Sequence, residues 1–95
     1  MVVGILQLEL LLYSPNSLKE KRGIVRRILD RCRVRFPASC AETGLQDIWQ
    51  RAQLGFAIVG QDQDFLLKLF DQIEEEIVRL GSAEVSDRQT EILHY

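Results

Sequence analysis

The stretch VVGILQLELLLYSPNSLKE, residues 2–20, contains a strand pattern, a break and a helix start, and it decides the fold class. Leucines recur at every second position, whereas Gln7 and Glu9 fall on the opposite side, which is the alternation of a half-buried strand. The pattern predicts a central strand over residues 2–13 whose second face is only partly covered. Ser14-Pro15-Asn16 ends this strand, because these residues favour turns.

A basic amphipathic helix follows the break. Ser17-Leu18-Lys19-Glu20 is a capping box, in which the serine hydroxyl and the glutamate carboxylate satisfy amide donors at a helix start. The helix is predicted over residues 17–35, because Pro37 stops it. Its apolar side chains form one stripe: Leu18, Ile24, Val25, Ile28, Leu29 and Cys32. Two basic flanks border the stripe, with Lys19, Arg22, Arg26 and Arg33 on one and Arg27, Arg31 and Arg35 on the other.

Four more elements are predicted from turn residues and hydrophobic spacing. They are a short strand over Ala38–Glu42, a longer strand over Ile48–Gly60, a second helix from Asp62 or Asp64 to Gly81, and a last strand within Glu84–Tyr95, centred on Thr90–Tyr95. The second helix carries apolar residues at helical spacing, and Glu74-Glu75-Glu76 is predicted on its solvated side.

This order, β-α-β-β-α-β, predicts an α+β fold, a ferredoxin-like sandwich with one antiparallel sheet and two helices on one face. The 95 residues are expected to form a single ferredoxin-like domain, residues 1–95. Because both helices cover the same face, the other face must be solvated, occupied by a ligand or buried against another subunit.

Composition narrows the functional classes. With 46% hydrophobic and 27% charged residues, and no secretory or membrane-spanning stretch, a cytoplasmic globular protein is expected. Cys32 and Cys40 fit neither a CxxC motif nor a zinc site, so both are interpreted as small buried residues. The lone His94 and the absence of a glycine-rich phosphate loop predict no metal, no cofactor and no small-molecule substrate.

Charge is distributed unevenly along the chain. Residues 1–60 carry nine bases and five acids, whereas residues 61–95 carry three bases and nine acids, so the net charge of −2 conceals a dipolar molecule. Eight of the twelve bases lie within residues 19–35. Clustered bases raise the local potential and release counterions when they meet phosphates, so RNA is the first candidate partner. The predicted nucleic-acid-binding residues are Lys19, Arg22, Arg26, Arg27, Arg31 and Arg33.

The basic helix is also compatible with two roles that involve no RNA. Arg and Lys form helices well and extend along a core edge, so they can serve only to solvate a surface. They can also pair with the acidic second helix of another subunit. Only Glu20 and Asp30 stand among the eight bases, and like charges repel one another, which favours a binding role over solvation alone.

The stretch Leu54-Gly55-Phe56-Ala57-Ile58-Val59 loosely matches the third-strand signature of the RNA-recognition motif, a domain of the same topology. The signature needs a basic first residue and aromatic residues on the open face, and this chain lacks them. Leu54, Phe56 and Ile58 are therefore predicted to face the helices. This parity places Arg51, Gln53, Gly55, Ala57 and Val59 on the open face, next to Val3, Ile5, Gln7, Glu9 and Leu11.

A polar stretch, Gln46-Asp47-Ile48-Trp49-Gln50-Arg51, surrounds the only tryptophan. Asp47 and Arg51 could form a catalytic pair, but no nucleophile or histidine lies in a matching position. The structural interpretation is favoured: Asp47 caps a turn, Trp49 covers the sheet edge, and Arg51 pairs with Glu9 or Glu42.

Three segments together resemble the YlxP-like family of small bacterial proteins of unknown function. They are Ser17–Arg22, Ala41-Glu42 and Gln46–Gly55, and the likeness extends over essentially the whole chain. The resemblance implies a ferredoxin-like fold and no established catalytic residue. Because the gene of the family's namesake lies among translation and ribosome-maturation genes, the resemblance also implies a role near RNA or ribosomes.

The leading hypothesis is a non-enzymatic, RNA- or ribosome-associated protein that presents helix residues 17–35 to phosphates. The alternative is a homo-oligomeric structural or adaptor module that pairs through its open sheet face or through its basic and acidic helices. An enzyme of the acylphosphatase type is disfavoured, because that family's glycine-rich anion loop has no counterpart here.

Overall fold

The computed structural model describes all 95 residues and has the predicted β-α-β-β-α-β order. The elements are β1 (Val2–Leu12), α1 (Leu18–Arg35), β2 (Ser39–Gly44), β3 (Arg51–Gly60), α2 (Gln63–Arg79) and β4 (Ala83–His94). The strands form one sheet in the order β2-β3-β1-β4, and all neighbouring strands are antiparallel. Each helix connects two strands that flank a third, so the predicted ferredoxin-like α+β fold is confirmed.

The core lies between the two helices and one face of the sheet. Leu6, Leu8 and Leu10 of the central strand β1 have no exposed surface, and they pack in one cluster with apolar residues of both helices. Across β3, Phe56 lies opposite Leu6 and Leu54 opposite Leu8. Burying each such side chain contributes about 1.5–3 kcal/mol to folding. The prediction that alternate residues of β3 face the helices is confirmed.

The bounds of all four strands differ from the sequence-based prediction, and β1 ends at Leu12, one residue earlier than predicted. β2 begins one residue later and ends two later, and β3 begins at Arg51 rather than Ile48. β4 is twelve residues long and includes the polar segment 86–89, which lies outside the predicted centre of the strand. β4 is an edge strand paired only with β1, so backbone hydrogen bonds to β1 hold it and it needs little apolar side-chain burial.

α1 begins as the capping box predicts, with one change of partner. The Ser17 hydroxyl accepts a hydrogen bond from the Glu20 amide at 3.1 Å. The Glu20 carboxylate accepts from the amide of Asn16 rather than from that of Ser17. The helix ends at Arg35, two residues before Pro37, because proline cannot continue the hydrogen-bond ladder.

α2 is capped at its start by Asp62, whose carboxylate accepts from the Phe65 amide at 2.8 Å. It is followed by Gly81 at φ +77°, a left-handed conformation that glycine adopts without strain. The helix packs so closely on β1 at Gly4 that a Cβ added there would lie 2.7 Å from the Phe70 ring.

The face of the sheet opposite the helices is uncovered. Val59 is 62% exposed, and Ile5 and Leu11 are each more than one third exposed. Glu9 pairs across this face with Arg51, so that pairing prediction is confirmed. The open face therefore combines apolar side chains with an internally neutralised ion pair.

Candidate nucleic-acid interface

All six predicted binding residues lie on the exposed surface of α1: Lys19, Arg22, Arg26, Arg27, Arg31 and Arg33. The apolar stripe of the helix faces the core through buried Val25, Ile28, Leu29 and Cys32. The helix thus presents its bases to solvent on both sides of the buried stripe. The six residues differ in whether an acidic side chain contacts them.

Three arginines in the last turns of α1 are held by neighbouring groups. Arg31 and Arg35 lie 4.0 Å and 3.4 Å from the carboxylate of Glu76 on α2. Arg33 contacts Asp30 at 3.2 Å and donates a 2.7 Å hydrogen bond to the backbone carbonyl of Cys40 on β2. These guanidinium groups connect α1 to α2 and to the sheet.

The bases in the first half of α1 are different. Lys19, Arg22, Arg26 and Arg27 have no acidic group within 4.0 Å and make no side-chain hydrogen bond within the chain. We call these four residues the basic patch. One other base in the chain, Lys68 on α2, also lacks an acidic partner. The unpaired positive charge is therefore concentrated on two and a half turns of one helix.

A shallow groove of about 270 Å³ runs between α1 and the edge strand β2. Its basic walls are Arg22, Arg26 and Arg33, three of the four bases predicted on one flank, and Glu42 of β2 lines it from the opposite side. The fourth, Lys19, lies one turn nearer the start of the helix. The structure thus brings most of this predicted flank together along one groove.

The outer surface of α1 holds a second, larger hollow of about 520 Å³. Gly23 lies at one end, Val34 at the other, and the basic lining residues are Arg26, Arg27 and Arg31. A Cβ at Gly23 would meet no atom within 4 Å, so no internal contact requires glycine at this exposed helical position. Arg26 lines both concavities and is the centre of the basic patch.

Lys21 differs from the other bases of α1 because its side chain is buried. It is 1% exposed, and its ammonium group lies 3.3 Å from the Glu42 carboxylate and donates to the backbone carbonyl of Leu45. This contact attaches α1 to the loop after β2, a structural role. Positions 21, 25, 28 and 32 share one helical face, so their spacing is a signal that could have identified Lys21 as buried.

The position of Glu76 differs from the prediction. It was predicted on the solvated side of α2, but it is 4% exposed and contacts Arg31, Arg35 and Arg79. Leu69, Ile73, Glu76 and Leu80 follow one another at intervals of four, three and four residues, so Glu76 shares the apolar face of α2. Its burial is compensated by three guanidinium groups.

Both cysteines are buried, as predicted. Burial, with smaller contributions from Cys40 and Glu76, raises the pKa of the Cys32 thiol to about 12. Burial likewise raises the pKa of Cys40, whose thiol points to the Leu29 carbonyl at 3.8 Å. Both thiols are therefore protonated at neutral pH and are poor nucleophiles.

The loop of residues 45–50 is more exposed than predicted. Trp49 is 45% exposed rather than covering the sheet edge, because β3 begins only at Arg51. Asp47 makes no side-chain hydrogen bond, and the turn is closed instead by the Ile48 amide donating to the Leu45 carbonyl at 3.1 Å. Leu45 has φ +61°, a left-handed conformation. The predicted capping role of Asp47 is therefore wrong.

No group of three or more His, Cys, Asp or Glu side chains is arranged to hold a metal ion. His94 lies at the end of β4, where its ring contacts the Gln63 side chain at 3.3 Å. Neither helix is long and apolar enough to cross a lipid bilayer.

The sheet order and the helices packed on one face define a ferredoxin-like α+β protein, here with a basic first helix. The chain belongs to the family described as a protein of unknown function (DUF503), whose sequence profile matches residues 3–90. It is similar to the uncharacterized protein YlxP of Bacillus subtilis (strain 168), with 40% identity over 62 residues, 65% of this chain and 67% of YlxP. The predicted membership in a YlxP-like family is confirmed.

A solved structure from structural genomics, protein YJCS, has a similar fold. It aligns with a TM-score of 0.64 and 10% identity over 97% of this chain and 99% of its own. At this identity the likeness supports the fold alone.

Proposed function

We propose that this protein associates with RNA or with ribosomes through the basic patch on α1, and that its role is non-enzymatic. The observation that carries the proposal is the set of four exposed bases without acidic partners. Phosphates on a nucleic-acid backbone would provide the missing counter-charge, and their binding would release condensed counterions. Such contacts position a protein on RNA without selecting a sequence.

Arg31 and Arg33 contribute in a smaller role. Both are half exposed, and a guanidinium group has five N–H donors, so the groups that contact Glu76 and Cys40 retain donors for a phosphate. Their existing partners lower the net charge that they offer. The basic patch therefore supplies most of the electrostatic attraction.

The test is co-sedimentation of the purified protein with ribosomal subunits over a series of salt concentrations. We expect association at low salt that falls steeply as salt rises, because each phosphate contact contributes a slope of roughly −0.7 to −0.9 in log affinity against log salt. The double variant Arg22→Glu/Arg26→Glu should abolish the association.

The matched control is Lys68→Glu. Lys68 lies on α2, is exposed and, like the residues of the basic patch, has no acidic partner. It changes the charge of the whole molecule but not that of the basic patch, and we expect it to leave the association nearly unchanged. Equal loss in Lys68→Glu and in a single Arg26→Glu variant would indicate a response to overall charge. Absence of association at every salt concentration would contradict the proposal.

A second candidate is self-association through the open sheet face. Val59 is its most exposed apolar side chain. It lies opposite Val3 on β1, and Ile5 is two residues further along β1 on the same face. Apolar surface of this kind is covered in many homodimers. Sedimentation equilibrium should then show a dimer that Val59→Glu dissociates and that salt scarcely affects. A monomer at high protein concentration would exclude this candidate.

A further inference from the structure

The loop of residues 45–50 is fixed beside the start of the basic patch. The buried ammonium group of Lys21 donates to the Leu45 carbonyl, and Lys21 is flanked by exposed bases on α1. At the other end of the loop, the Leu12 amide donates to the Gln50 carbonyl at 2.7 Å. The two contacts bring the loop, the end of β1 and the first turns of α1 to one end of the molecule.

Two exposed aromatic side chains lie at this end. Trp49 is 45% exposed within the loop, and Tyr13, the residue after Leu12, is 50% exposed. The exposed part of Trp49 is not needed for the core, which is formed by other residues. Exposed aromatic rings next to Lys and Arg side chains that lack acidic partners are typical of surfaces that stack nucleobases.

The basic groove leads towards this aromatic pair. β2 runs antiparallel to the axis of α1, because Arg33 contacts Cys40 at one end of β2 and Lys21 contacts Leu45 at the other. Arg33, Arg26 and Arg22 line the groove in that order towards the loop. If the phosphates of an RNA strand occupied the groove, the next nucleotides of that strand would reach the loop.

We propose that the preferred ligand is single-stranded RNA, with phosphates in the basic groove and an unpaired base stacked on Trp49. This inference rests on the proposed RNA association. Paired bases in an A-form helix are already stacked on one another, so they offer no face to a side chain, whereas unpaired bases do. Asp47 is the acidic residue of the loop, and it works against phosphate binding there.

Trp49 is the only tryptophan, so its fluorescence reports directly on the proposed contact. The test titrates the protein with a short oligouridylate strand and, separately, with the duplex that the strand forms with oligoadenylate. We expect quenching of Trp49 fluorescence and tighter binding with the single strand. Trp49→Ala should weaken single-strand binding roughly tenfold and leave duplex binding unchanged, whereas Trp49→Phe should retain most of the affinity.

The second tyrosine provides a matched control. Tyr95 is 76% exposed, but its amide donates to the Met1 carbonyl at the opposite end of β1, roughly 35 Å from Tyr13 at the rise of a strand. Tyr95→Ala should not alter binding, and Tyr13→Ala should weaken single-strand binding by a smaller factor than Trp49→Ala. Asp47→Asn should strengthen it.

The outcomes separate this inference from the proposed function. Equal binding of strand and duplex, or strand binding without a change in Trp49 fluorescence, would overturn the stacking proposal and leave RNA association standing. If neither RNA binds, both proposals fail. If Trp49→Ala does not fold, the fluorescence titration of the unaltered protein still decides between strand and duplex.

Discussion

Both halves of α1 are basic, but their surroundings differ. The first half, residues 18–27, carries five bases, of which only the buried Lys21 has an acidic partner. The second half, residues 28–35, carries three arginines, and all three contact an acidic group. The second half lies beside Glu76 of α2, whereas no acid of α2 reaches the exposed bases of the first half. A run of bases in a sequence therefore overstates the positive charge that a surface offers to a ligand, since acids from other elements neutralise part of it.

The largest effect on stability is expected from Lys21→Met. The substitution keeps the aliphatic stem but removes the ammonium group, so the Glu42 carboxylate loses its ion-pair partner and the Leu45 carbonyl keeps only the Ile48 amide as a donor. Breaking a buried ion pair costs about 3 kcal/mol or more, so the free energy of unfolding should fall by about that amount in urea denaturation. Lys19→Met, at an exposed site, should change it by about 0.5 kcal/mol or less. Equal stability of both variants would show that the buried contact is not needed.

Glu76→Gln should have the next largest effect, because it removes the charge that holds the second half of α1 to α2. Hydrogen bonds to charged groups contribute about 1.5–3 kcal/mol, and the arginines are half exposed, so a loss of about 2 kcal/mol in unfolding free energy is expected. The neighbouring Glu75→Gln, on the solvated side, is the control. An unchanged midpoint for Glu76→Gln would mean that packing alone joins the helices.

Removing one base from each half tests the functional side of the comparison. Arg26→Gln should weaken RNA binding uniformly across sequences and reduce the salt slope by about 1, because one phosphate contact is lost. Arg35→Gln removes the same charge from the paired half and should alter the slope much less. Filter binding at several salt concentrations measures both. Equal slope changes would make the two halves equivalent as binding surfaces.

The smallest effect is expected at Gly23, within the first half. Gly23→Ala adds a methyl group that meets no atom within 4 Å, so the helix should gain about 0.8 kcal/mol of stability from alanine's higher propensity. Gly4→Ala should do the opposite, since its added Cβ would lie 2.7 Å from the Phe70 ring. Thermal unfolding of both variants gives the signs. A destabilised Gly23→Ala variant would reveal a constraint on the helix that is absent from these contacts.

Local patterns were enough to predict the fold. The alternating leucines of β1, the Ser17 cap and the helical spacing of α2 each indicate one element, and the order of elements leaves few topologies. The Glu9–Arg51 pair was also predictable, because strand parity places both residues on the open face. The exposed position of the six predicted binding residues follows from the same periodicity.

The partners of charged residues could not be predicted, since they depend on how separate elements pack. Periodicity places Glu76 on the apolar face of α2, but only the position of α1 explains why a buried carboxylate is tolerated there. The Leu45 carbonyl could not be predicted as the partner of Lys21, because Leu45 has a left-handed conformation that is uncommon for leucine. Trp49 is exposed because it lies in the loop before β3, which begins only at Arg51.

The two edges of the sheet bear on aggregation. An unpaired strand edge can template pairing with another chain unless something covers or interrupts it. β2 is only six residues long, and Arg33 occupies the carbonyl of Cys40 on it. β4 is long, but it bulges at Ser86, between the partners of Glu9 and Leu10, and it carries four charged side chains: Glu84, Asp87, Arg88 and Glu91. Both edges thus carry features that oppose fibre-like sheet extension, so the protein is expected to stay dispersed in concentrated solution without help from its basic helix.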